Sequence, residues 1–409
     1  MKIIYITRLF SGIEKSFLSN NWPPSGVPTI YKMIEELDRL RDMCFIFTAK
    51  DSGAGYQSIW NAKLDKTIKI DELNHKLSVL AGINYFPSIL GRKLRIILRE
   101  FRHFFKIFFK IVRYKPDIIY CDHANIFHCS IVARLFTGTP VVFRVMGVNK
   151  FMRNVSEGMP GLIYSLYRWA YRAPFRLVLC TQDGSGVELW IKNSIHKDVW
   201  VKKLINGVDS PVLSVVKDDR IIKLSNKLTI LFVGKLESYK GCVEFVKAII
   251  LLLNNNTSNI HALIIGFGTQ YNLLKKITSK NNNFTFIEHL SHDQILAVHK
   301  KCDIYVSMNH LGNLSNANLE AINSNDCMII PEPQFDYGID IITEKLLGNS
   351  VTYVPINNAE KLSKSLHKLT QSKGKRDLFS DAISKQKLKF LWSWDERIKA
   401  EVELLKKLL

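Results

Sequence analysis

The sequence lacks paired cysteines and long apolar runs. Its seven cysteines are odd in number and scattered, with no C-x-x-C pair, which predicts reduced thiols in a cytosolic protein and argues against a disulfide framework or a zinc site. No segment approaches the ~18 apolar residues of a membrane-spanning helix. The opening, MKIIYITRLF, has too short an apolar run for a signal peptide and no small-residue cleavage site. We therefore expect a cytoplasmic protein.

Acidic residues are also scarce. There are 37 Asp and Glu against 57 Lys and Arg, a formal net charge of +20, which predicts attraction to nucleic acid, an acidic substrate or a lipid surface. The remaining composition, 47% hydrophobic and 23% charged, is that of a globular protein. A chain of 409 residues is too long for one ordinary core, so two domains are expected.

Short apolar runs alternate with helical patterns along the chain. The strand candidates are residues 2–6, 44–49, 117–122, 140–145, 176–181, 228–234, 261–268, 284–290, 303–308 and 327–332. Runs that are apolar on both faces and separated by helices indicate parallel strands, hence an α/β protein with two doubly wound, Rossmann-like domains. The boundary is predicted near residues 205–211, where Gly207 and Pro211 interrupt the pattern.

A first candidate binding element lies between the first strand and a helix predicted over residues 28–43. Pro28 suits the first turn of that helix, and the apolar residues that follow repeat on one face. Gly26 precedes the helix. Ligands of open α/β sheets bind beyond the carboxyl ends of the strands, so the loop at Gly26 is a candidate wall of a site.

A strongly basic helix is predicted over residues 92–113. Six basic residues form one stripe about 80° wide at 100° per residue; they are Arg95, Arg99, Arg102, Lys106, Lys110 and Arg113. Apolar residues fill the opposite side, which we expect to pack on the sheet. The stripe is then either a solvated outer face or a surface that adsorbs to an anionic membrane, at about 1 kcal/mol per basic residue.

The stretch LFVGKLESYKG, residues 231–241, joins a predicted buried strand to a loop with two lysines, Lys235 and Lys240. The loop follows the carboxyl end of a parallel strand, and its two glycines allow close approach of the backbone. Two ammonium groups there could flank a diphosphate. A solvated turn explains the same composition, and the P-loop pattern GxxxxGK[ST] is absent.

A second candidate element is GNLSNANLEAINSND, residues 312–326. Ser315 or Asn316 can cap a helix whose free amide groups would face the strand edge, an arrangement that binds phosphate or sugar hydroxyls. Glu320 lies one turn inside this helix and could accept hydrogen bonds from a ribose. The alternative for Glu320 is a solvated helix glutamate. Asn325 is expected to end the helix in a left-handed conformation.

These strings resemble the GT-B glycosyltransferases of the large retaining family 4. The resemblance rests on residues 204–211, 231–241, 263–268, 302–309, 315–322 and 392–398, and more loosely on residues 25–37 and 115–125. It implies two Rossmann-like domains facing across a cleft: an acceptor-side domain over residues 1–205 and a nucleotide-sugar domain over residues 206–391. Residues 392–409 would form a closing helix on the first domain.

The resemblance also implies roles for individual residues. Lys235 and Lys240 would neutralise the departing diphosphate, and Glu320, the second glutamate of an E-x7-E motif, would bind the ribose. Four further residues would line the nucleotide or its base: Gly266, Gly268, His289 and Leu290.

The chain departs from the family at several positions. The first glutamate of the E-x7-E motif is Gly312 here, a His-Gly pair is Met146-Gly147, and the double glycine of the first loop is Gly26-Val27. Sugar contacts would then come from the backbone of Asn313, Leu314, Ser315 and Asn316. His123, at a strand end, is the polar candidate near the acceptor, with a structural histidine as the alternative.

The expected function is transfer of a sugar, with retention, from a nucleotide diphosphate-sugar, UDP-sugar being favoured, to a hydroxyl group. We expect a glycan or lipid-linked acceptor in cell-surface polysaccharide synthesis, at the inner face of the membrane, with no metal and no cofactor beyond the donor. An epimerase or hydrolase of the same fold is one alternative. A nucleic-acid-binding protein is another, but the aromatic residues of the basic helix lie away from its basic stripe, so no nucleic acid is expected.

Overall fold

The computed structural model describes residues 1–50, 58–62, 64–209, 227–255 and 259–409. Pro211, one of the two residues that marked the predicted domain boundary, lies outside these ranges. The described chain divides into two compact units. The first unit contains residues 1–181, 190–204 and 395–409, and the second contains residues 182–189 and 205–394.

The first unit is built on an eight-stranded sheet in the order β3-β4-β2-β1-β5-β6-β7-β8. All neighbouring strands are parallel except β3, which pairs antiparallel with β4. The strands are β1 Lys2–Arg8, β2 Asp42–Thr48, β3 Lys66–Ile68, β4 Leu77–Leu80, β5 Ile118–Asp122, β6 Val141–Val145, β7 Leu177–Thr181 and β8 Trp200–Leu204. The helices are α1 Ser11–Ser19, α2 Pro28–Leu37, α3 Gly91–Tyr114, α4 Ile126–Leu135, α5 Lys150–Ser156, α6 Leu162–Tyr171 and α7 Val187–Ser194, whose first three residues belong to the second unit.

The second unit has a six-stranded parallel sheet in the order β11-β10-β9-β12-β13-β14. Its strands are β9 Leu228–Val233, β10 Ile260–Ile265, β11 Phe284–Ile287, β12 Ile304–Val306, β13 Met328–Pro331 and β14 Thr352–Val354. Its helices are α8 Cys242–Asn254, α9 Tyr271–Ile277, α10 His292–His299, α11 Asn316–Asn323, α12 Ile341–Leu347, α13 Ala359–Thr370 and α14 Lys373–Gln386. The order of strands reverses between β9 and β12, which makes the carboxyl ends of these two strands the expected ligand site.

The last helix, α15 Trp394–Lys406, belongs to the first unit from residue 395 onward. Its apolar residues Ile398, Val402 and Leu405 are buried in the same core cluster as β1 and β5. Glu401 is fully buried; it accepts a hydrogen bond from the Tyr120 hydroxyl and lies 2.5 Å from Nη1 of Arg397. A third buried charge, the Nε of Arg144, lies 3.6 Å from the Glu401 carboxylate.

All ten strands predicted from apolar runs are present, and the predicted α/β class with two doubly wound units is confirmed. Four strands were missed: β3, β4, β8 and β14. Three of them are short, and β8 is half-exposed and carries two lysines. In the described ranges, none of the helices combines the length and the apolar character that crossing a bilayer requires.

Candidate functional site

Two loops meet at the point in the second unit where the strand order reverses. One is the lysine loop, residues 234–241 after β9, and the other is the segment of residues 307–315 after β12. The His310 amide donates to the Tyr239 carbonyl oxygen at 2.9 Å. Gly241 passes so close that a Cβ there would lie 2.4 Å from Cβ of Met308. The structure thus brings together the two elements that the sequence singled out separately.

The two lysines of the loop occupy different environments. Lys235 is exposed, whereas Lys240 is half-buried at the end of a short 3-10 turn, Ser238–Lys240. Burial lowers the pKa of Lys240, the nearby charge of Asp183 counteracts that shift, and the charge of Lys235 adds to it. Lys240 is therefore a partly desolvated cation on which the charge of Asp183 acts.

Asp183 is a site residue that the sequence analysis missed. It lies in residues 182–189, which the predicted boundaries gave to the first domain but which the structure groups with the second. Its carbonyl oxygen accepts from the Leu314 amide at 3.0 Å, and its carboxylate accepts from the Ser185 amide at 3.0 Å. Burial raises the pKa of Asp183 to about 6. Asp183 therefore links the lysine loop electrostatically to the segment before α11. Its position two residues after the end of the strand β7 was an indication in the sequence.

The backbone conformation at Gly312 and the lack of space around it explain why this position of the E-x7-E motif carries no glutamate. Gly312 has φ 122, a conformation that favours glycine, and a Cβ on it would lie 2.5 Å from the Asp183 carbonyl oxygen. The backbone of residues 183–185 thus fills the space that a side chain at position 312 would need. Asp183 is the carboxylate whose charge raises the pKa of Lys240.

The backbone amides of Asn313 and Leu314 both have acceptors within the protein. The Asn313 amide donates to Oδ1 of Asp340 at 2.7 Å, and its side-chain nitrogen donates to the other carboxylate oxygen at 2.6 Å. The Leu314 amide donates to Asp183, and its side chain is fully buried in the core. Both amides are thus bonded within the protein, and contact between the backbone of residues 313–316 and the sugar remains a prediction.

The helix α11 begins at Asn316, with Ser315 as its N-cap residue in extended conformation and without a capping hydrogen bond from its side chain. The side-chain oxygen of Asn316 accepts from Asn206 at 2.7 Å, which fixes the start of the helix. The amides of residues 316–318 precede the first intrahelical bond, from Leu319 to Ser315, and have no acceptor among the described residues. This helix end can bind an anion. Asn325, just past the helix, has φ 61 as predicted.

Glu320 is not a solvated glutamate, since its side chain is only 15% exposed. One carboxylate oxygen lies 3.7 Å from Nδ1 of His292, whose Nε2 lies 3.1 Å from Asp209. Burial raises the pKa of Glu320, and the hydrogen bond to Asp209 raises the pKa of His292. His292 and Asp209 were not predicted, because only the folded chain brings the start of α10 and the residues after Gly207 to α11.

The remaining nucleotide candidates lie at the ends of β10 and β11. Gly266 and Gly268 belong to a loop that packs on the lysine loop, where the Leu236 amide donates to Phe267 at 3.1 Å. His289 is exposed, while the Leu290 side chain is buried in the core. The Leu290 side chain packs in this core, and the roles of Gly266, Gly268, His289 and Leu290 in nucleotide binding remain predictions.

Two candidates lie in the first unit. Gly26 is exposed with φ 94, in the loop before α2, and the unpredicted helix α1 separates this loop from β1. His123 follows β5; its Nε2 lies 2.8 Å from the Tyr171 hydroxyl, and its ring stacks on the Tyr171 ring at 5.8 Å. Burial lowers the pKa of His123 to about 4, so its imidazole is neutral near pH 7. These contacts favour the structural interpretation of His123.

The predicted orientation of the basic helix is wrong. The buried face of α3 contains Arg99, His103, Ile107 and Ile111, not the apolar stripe. Arg99 pairs with Glu100 at 2.6 Å, and Arg102 pairs with Asp65 and stacks over the Tyr85 ring at 3.9 Å. Paired charges can face inward, so the periodicity of apolar residues did not identify the buried side.

Only part of the basic stripe is accessible. Arg95 is half-buried and donates to Asn84 at 3.0 Å, whereas Lys106, Lys110 and Arg113 are exposed. The hypothesis of a continuous, outward-facing basic stripe of six residues is therefore contradicted.

Within the described residues, three side chains in the second unit are close enough to share a metal ion: His299, Cys302 and Asp326. The Nδ1 of His299 lies 2.6 Å from Asp326, and the Cys302 thiol donates to the same carboxylate at 3.5 Å. Burial raises the pKa of both Cys302 and Asp326, which disfavours the deprotonated forms that bind metals. Internal hydrogen bonds explain this cluster.

Comparison with known proteins places these features in context. Residues 217–386 match the family of glycosyl transferases group 1. An uncharacterised glycosyltransferase of Methanocaldococcus jannaschii is 22% identical over 229 residues, which are 55% of this chain and 57% of that protein. The matched segment thus spans little more than half the length of that relative.

Two solved structures share the architecture over the full length of both chains. Alr3699/HepE of Anabaena, in complex with UDP, aligns with a TM-score of 0.64 at 12% identity over 100% of each chain. A trehalose-6-phosphate structure from E. coli, bound with UDP-2-fluoro glucose, aligns with a TM-score of 0.68 at 12% identity over 100% of each chain. The chain therefore has the GT-B fold, and its second unit carries the match to group 1 glycosyl transferases.

Proposed function

We propose that this protein is a glycosyltransferase that moves a sugar from a nucleotide diphosphate-sugar to a hydroxyl group of a glycan or lipid-linked acceptor. The observation that carries the proposal is the meeting of Lys240 and the segment leading into α11 at the switch point of the second sheet. This unit also carries the match to group 1 glycosyl transferases. A UDP-sugar is the favoured donor, since UDP and a UDP-sugar derivative are bound in proteins of the same fold.

In this mechanism, negative charge grows on the diphosphate as its bond to the sugar breaks. Lys240 is partly desolvated before the donor arrives, so solvent screens its charge less than that of an exposed lysine and less water must reorganise. The free amides of residues 316–318 add the positive end of a helix dipole. Together with Lys235, these groups supply the charge that a metal ion supplies in other transferases, so we propose transfer without a metal.

Glu320 would accept hydrogen bonds from the ribose, with His292 and Asp209 holding its carboxylate in place. Retention of configuration is part of the proposal, since glycosyl transfer with retention is described for trehalose-6-phosphate synthase, a protein of the same fold. A role in cell-surface polysaccharide synthesis, at the inner face of a membrane, follows from the resemblance and from the charge of +20.

The position of Asp183 is also compatible with a second function, that of a nucleotide-sugar epimerase or hydrolase. An epimerase or hydrolase of this fold would use carboxylates around the sugar, and Asp183 brings one close to Lys240. The two functions differ in their need for an acceptor.

The test combines a thermal-shift screen of nucleotide-sugars with a release assay for the nucleoside diphosphate. We expect one donor class to stabilise the protein and its diphosphate to be released at a rate that rises with added acceptor. Release or epimerisation at full rate without an acceptor would favour the second function, and no stabilisation by any nucleotide-sugar would contradict both.

A further inference from the structure

The helix α3 leaves an apolar face in solvent. Its exposed large apolar residues are Leu94, Ile97, Phe101, Phe105, Phe109 and Val112, each between 44% and 65% exposed. At 100° per residue they lie within a stripe about 120° wide, on the side opposite the buried residues His103 and Ile107. Three exposed phenylalanines on one helix face are a feature of binding surfaces and not of solvated helices.

A second helix of the first unit also exposes large apolar residues. The helix α4 and its C-cap residue lie between α3 and α6: Phe136 contacts Phe108 of α3 with ring centres 5.5 Å apart, and Phe127 contacts Tyr167 of α6 with ring centres 4.7 Å apart. On α6, four large apolar residues are again exposed, namely Leu162, Ile163, Leu166 and Trp169. We call the exposed apolar residues of α3 and α6 the apolar surface.

The charge around the apolar surface has one sign. The helices α3, α4 and α6 together contain ten basic residues and one acidic residue, Glu100, which is paired with Lys50 and Arg99. Lys106, Lys110 and Arg113 are exposed along one edge of the stripe. On α6, Trp169 lies under the guanidinium of Arg134, 4.0 Å from its ring centre.

We propose that the apolar surface inserts into the headgroup region of an anionic lipid bilayer, with α3 lying in the plane of the membrane. An amphipathic helix with phenylalanines on one face and basic residues beside them, as in α3, has the chemistry of an interfacial anchor, and Trp169 of α6 adds an exposed residue type that favours the same region. Anionic headgroups complement the exposed lysines and arginines. A second copy of the chain would bring the same positive charges face to face, which opposes pairing through this surface.

This mode of binding differs from the electrostatic adsorption expected from the sequence. Adsorption alone would vanish at high salt and on neutral vesicles. Insertion retains an apolar contribution, so the proposal predicts weaker binding to neutral vesicles and only a partial loss of binding at high salt.

The experiment is vesicle co-sedimentation of the full chain with phosphatidylcholine vesicles, with and without phosphatidylglycerol. We expect Phe101→Ser, Phe105→Ser and Phe109→Ser together to reduce the partition coefficient about tenfold or more on both vesicle types. The variant Lys110→Glu with Arg113→Glu should lose the preference for phosphatidylglycerol but keep the binding to phosphatidylcholine.

The matched control changes three exposed apolar residues of the second unit: Phe335→Ser, Leu378→Ser and Leu388→Ser, each more exposed than the phenylalanines of α3. It should bind vesicles as the wild type does. An unchanged thermal midpoint of both triple variants shows that they fold. The proposal would be overturned if the wild type bound neither type of vesicle, or if the triple phenylalanine variant bound vesicles as well as the wild type does. If the wild type does not bind vesicles but forms a dimer, and the triple phenylalanine variant is a monomer, a second copy of the chain covers the apolar surface instead of a membrane.

Discussion

Replacing Lys240 with alanine should remove most of the affinity for a nucleotide-sugar. Lys240 is half-buried, the charge of Asp183 acts on it, and burial lowers its pKa, so part of its desolvation precedes donor binding. The loss of one hydrogen bond to a charged group costs about 1.5–3 kcal/mol. At 1.4 kcal/mol for each factor of ten, the dissociation constant should rise about 10- to 150-fold.

Lys235, near the other end of the lysine loop, allows the effect of burial on nucleotide-sugar affinity to be compared. Lys235 is exposed, so solvent screens its charge and Lys235→Ala should weaken binding by no more than about fivefold. Lys247→Ala removes an exposed lysine of α8 outside the site and should leave the affinity for the nucleotide-sugar unchanged. Isothermal titration with UDP and with the best-binding nucleotide-sugar measures all three variants. If Lys240→Ala binds the nucleotide-sugar as tightly as the wild type, or if Lys235→Ala loses more affinity than Lys240→Ala, the reasoning from burial fails.

Three further predictions concern carboxylates. Glu320→Gln keeps the size of the side chain but removes its charge, so titration with UDP should show binding weaker by about 1.5–3 kcal/mol; undiminished affinity would leave Glu320 without a role in binding. Asp183 has a pKa raised to about 6, so protonation below that pH removes a charge that competes for Lys240. Donor binding should strengthen about fivefold from pH 7 to pH 5, and Asp183→Asn should bind as tightly at pH 7 as the wild type does at pH 5; a variant with the wild-type pH dependence would contradict this. Glu401→Gln leaves two buried arginines without a carboxylate and should lower the free energy of unfolding by about 3–5 kcal/mol in a denaturant titration, whereas Glu403→Gln, exposed on the same helix, should have little effect.

The sequence predicted ten of the strands of the two sheets because buried parallel strands are apolar on both faces, and it missed β3, β4, β8 and β14. It also identified the lysine loop and the start of α11, because both follow strand ends and contain residues suited to turns and caps. What it could not predict depends on contacts between distant segments. Asp183 joins the second unit through residues 182–189, and His292 and Asp209 approach Glu320 from two other loops.

The error over α3 has a different cause. Apolar periodicity identifies an amphipathic helix but does not say which side is buried when charged residues have partners. Arg99 and Arg102 face inward because Glu100 and Asp65 pair with them. This pairing leaves Phe101, Phe105 and Phe109 in solvent, an outcome that the sequence pattern alone does not indicate.

The central claim is that the lysine loop and the open end of α11 together bind the diphosphate of a donor. Hydrogen exchange of backbone amides, measured with and without the nucleotide-sugar that stabilises the protein most, tests it directly. We predict slower exchange at residues 316–318 and in the lysine loop, residues 234–241, with Lys240→Ala reducing the effect at both. A donor that binds and slows exchange elsewhere, while these two segments exchange as in the free protein, would contradict the account.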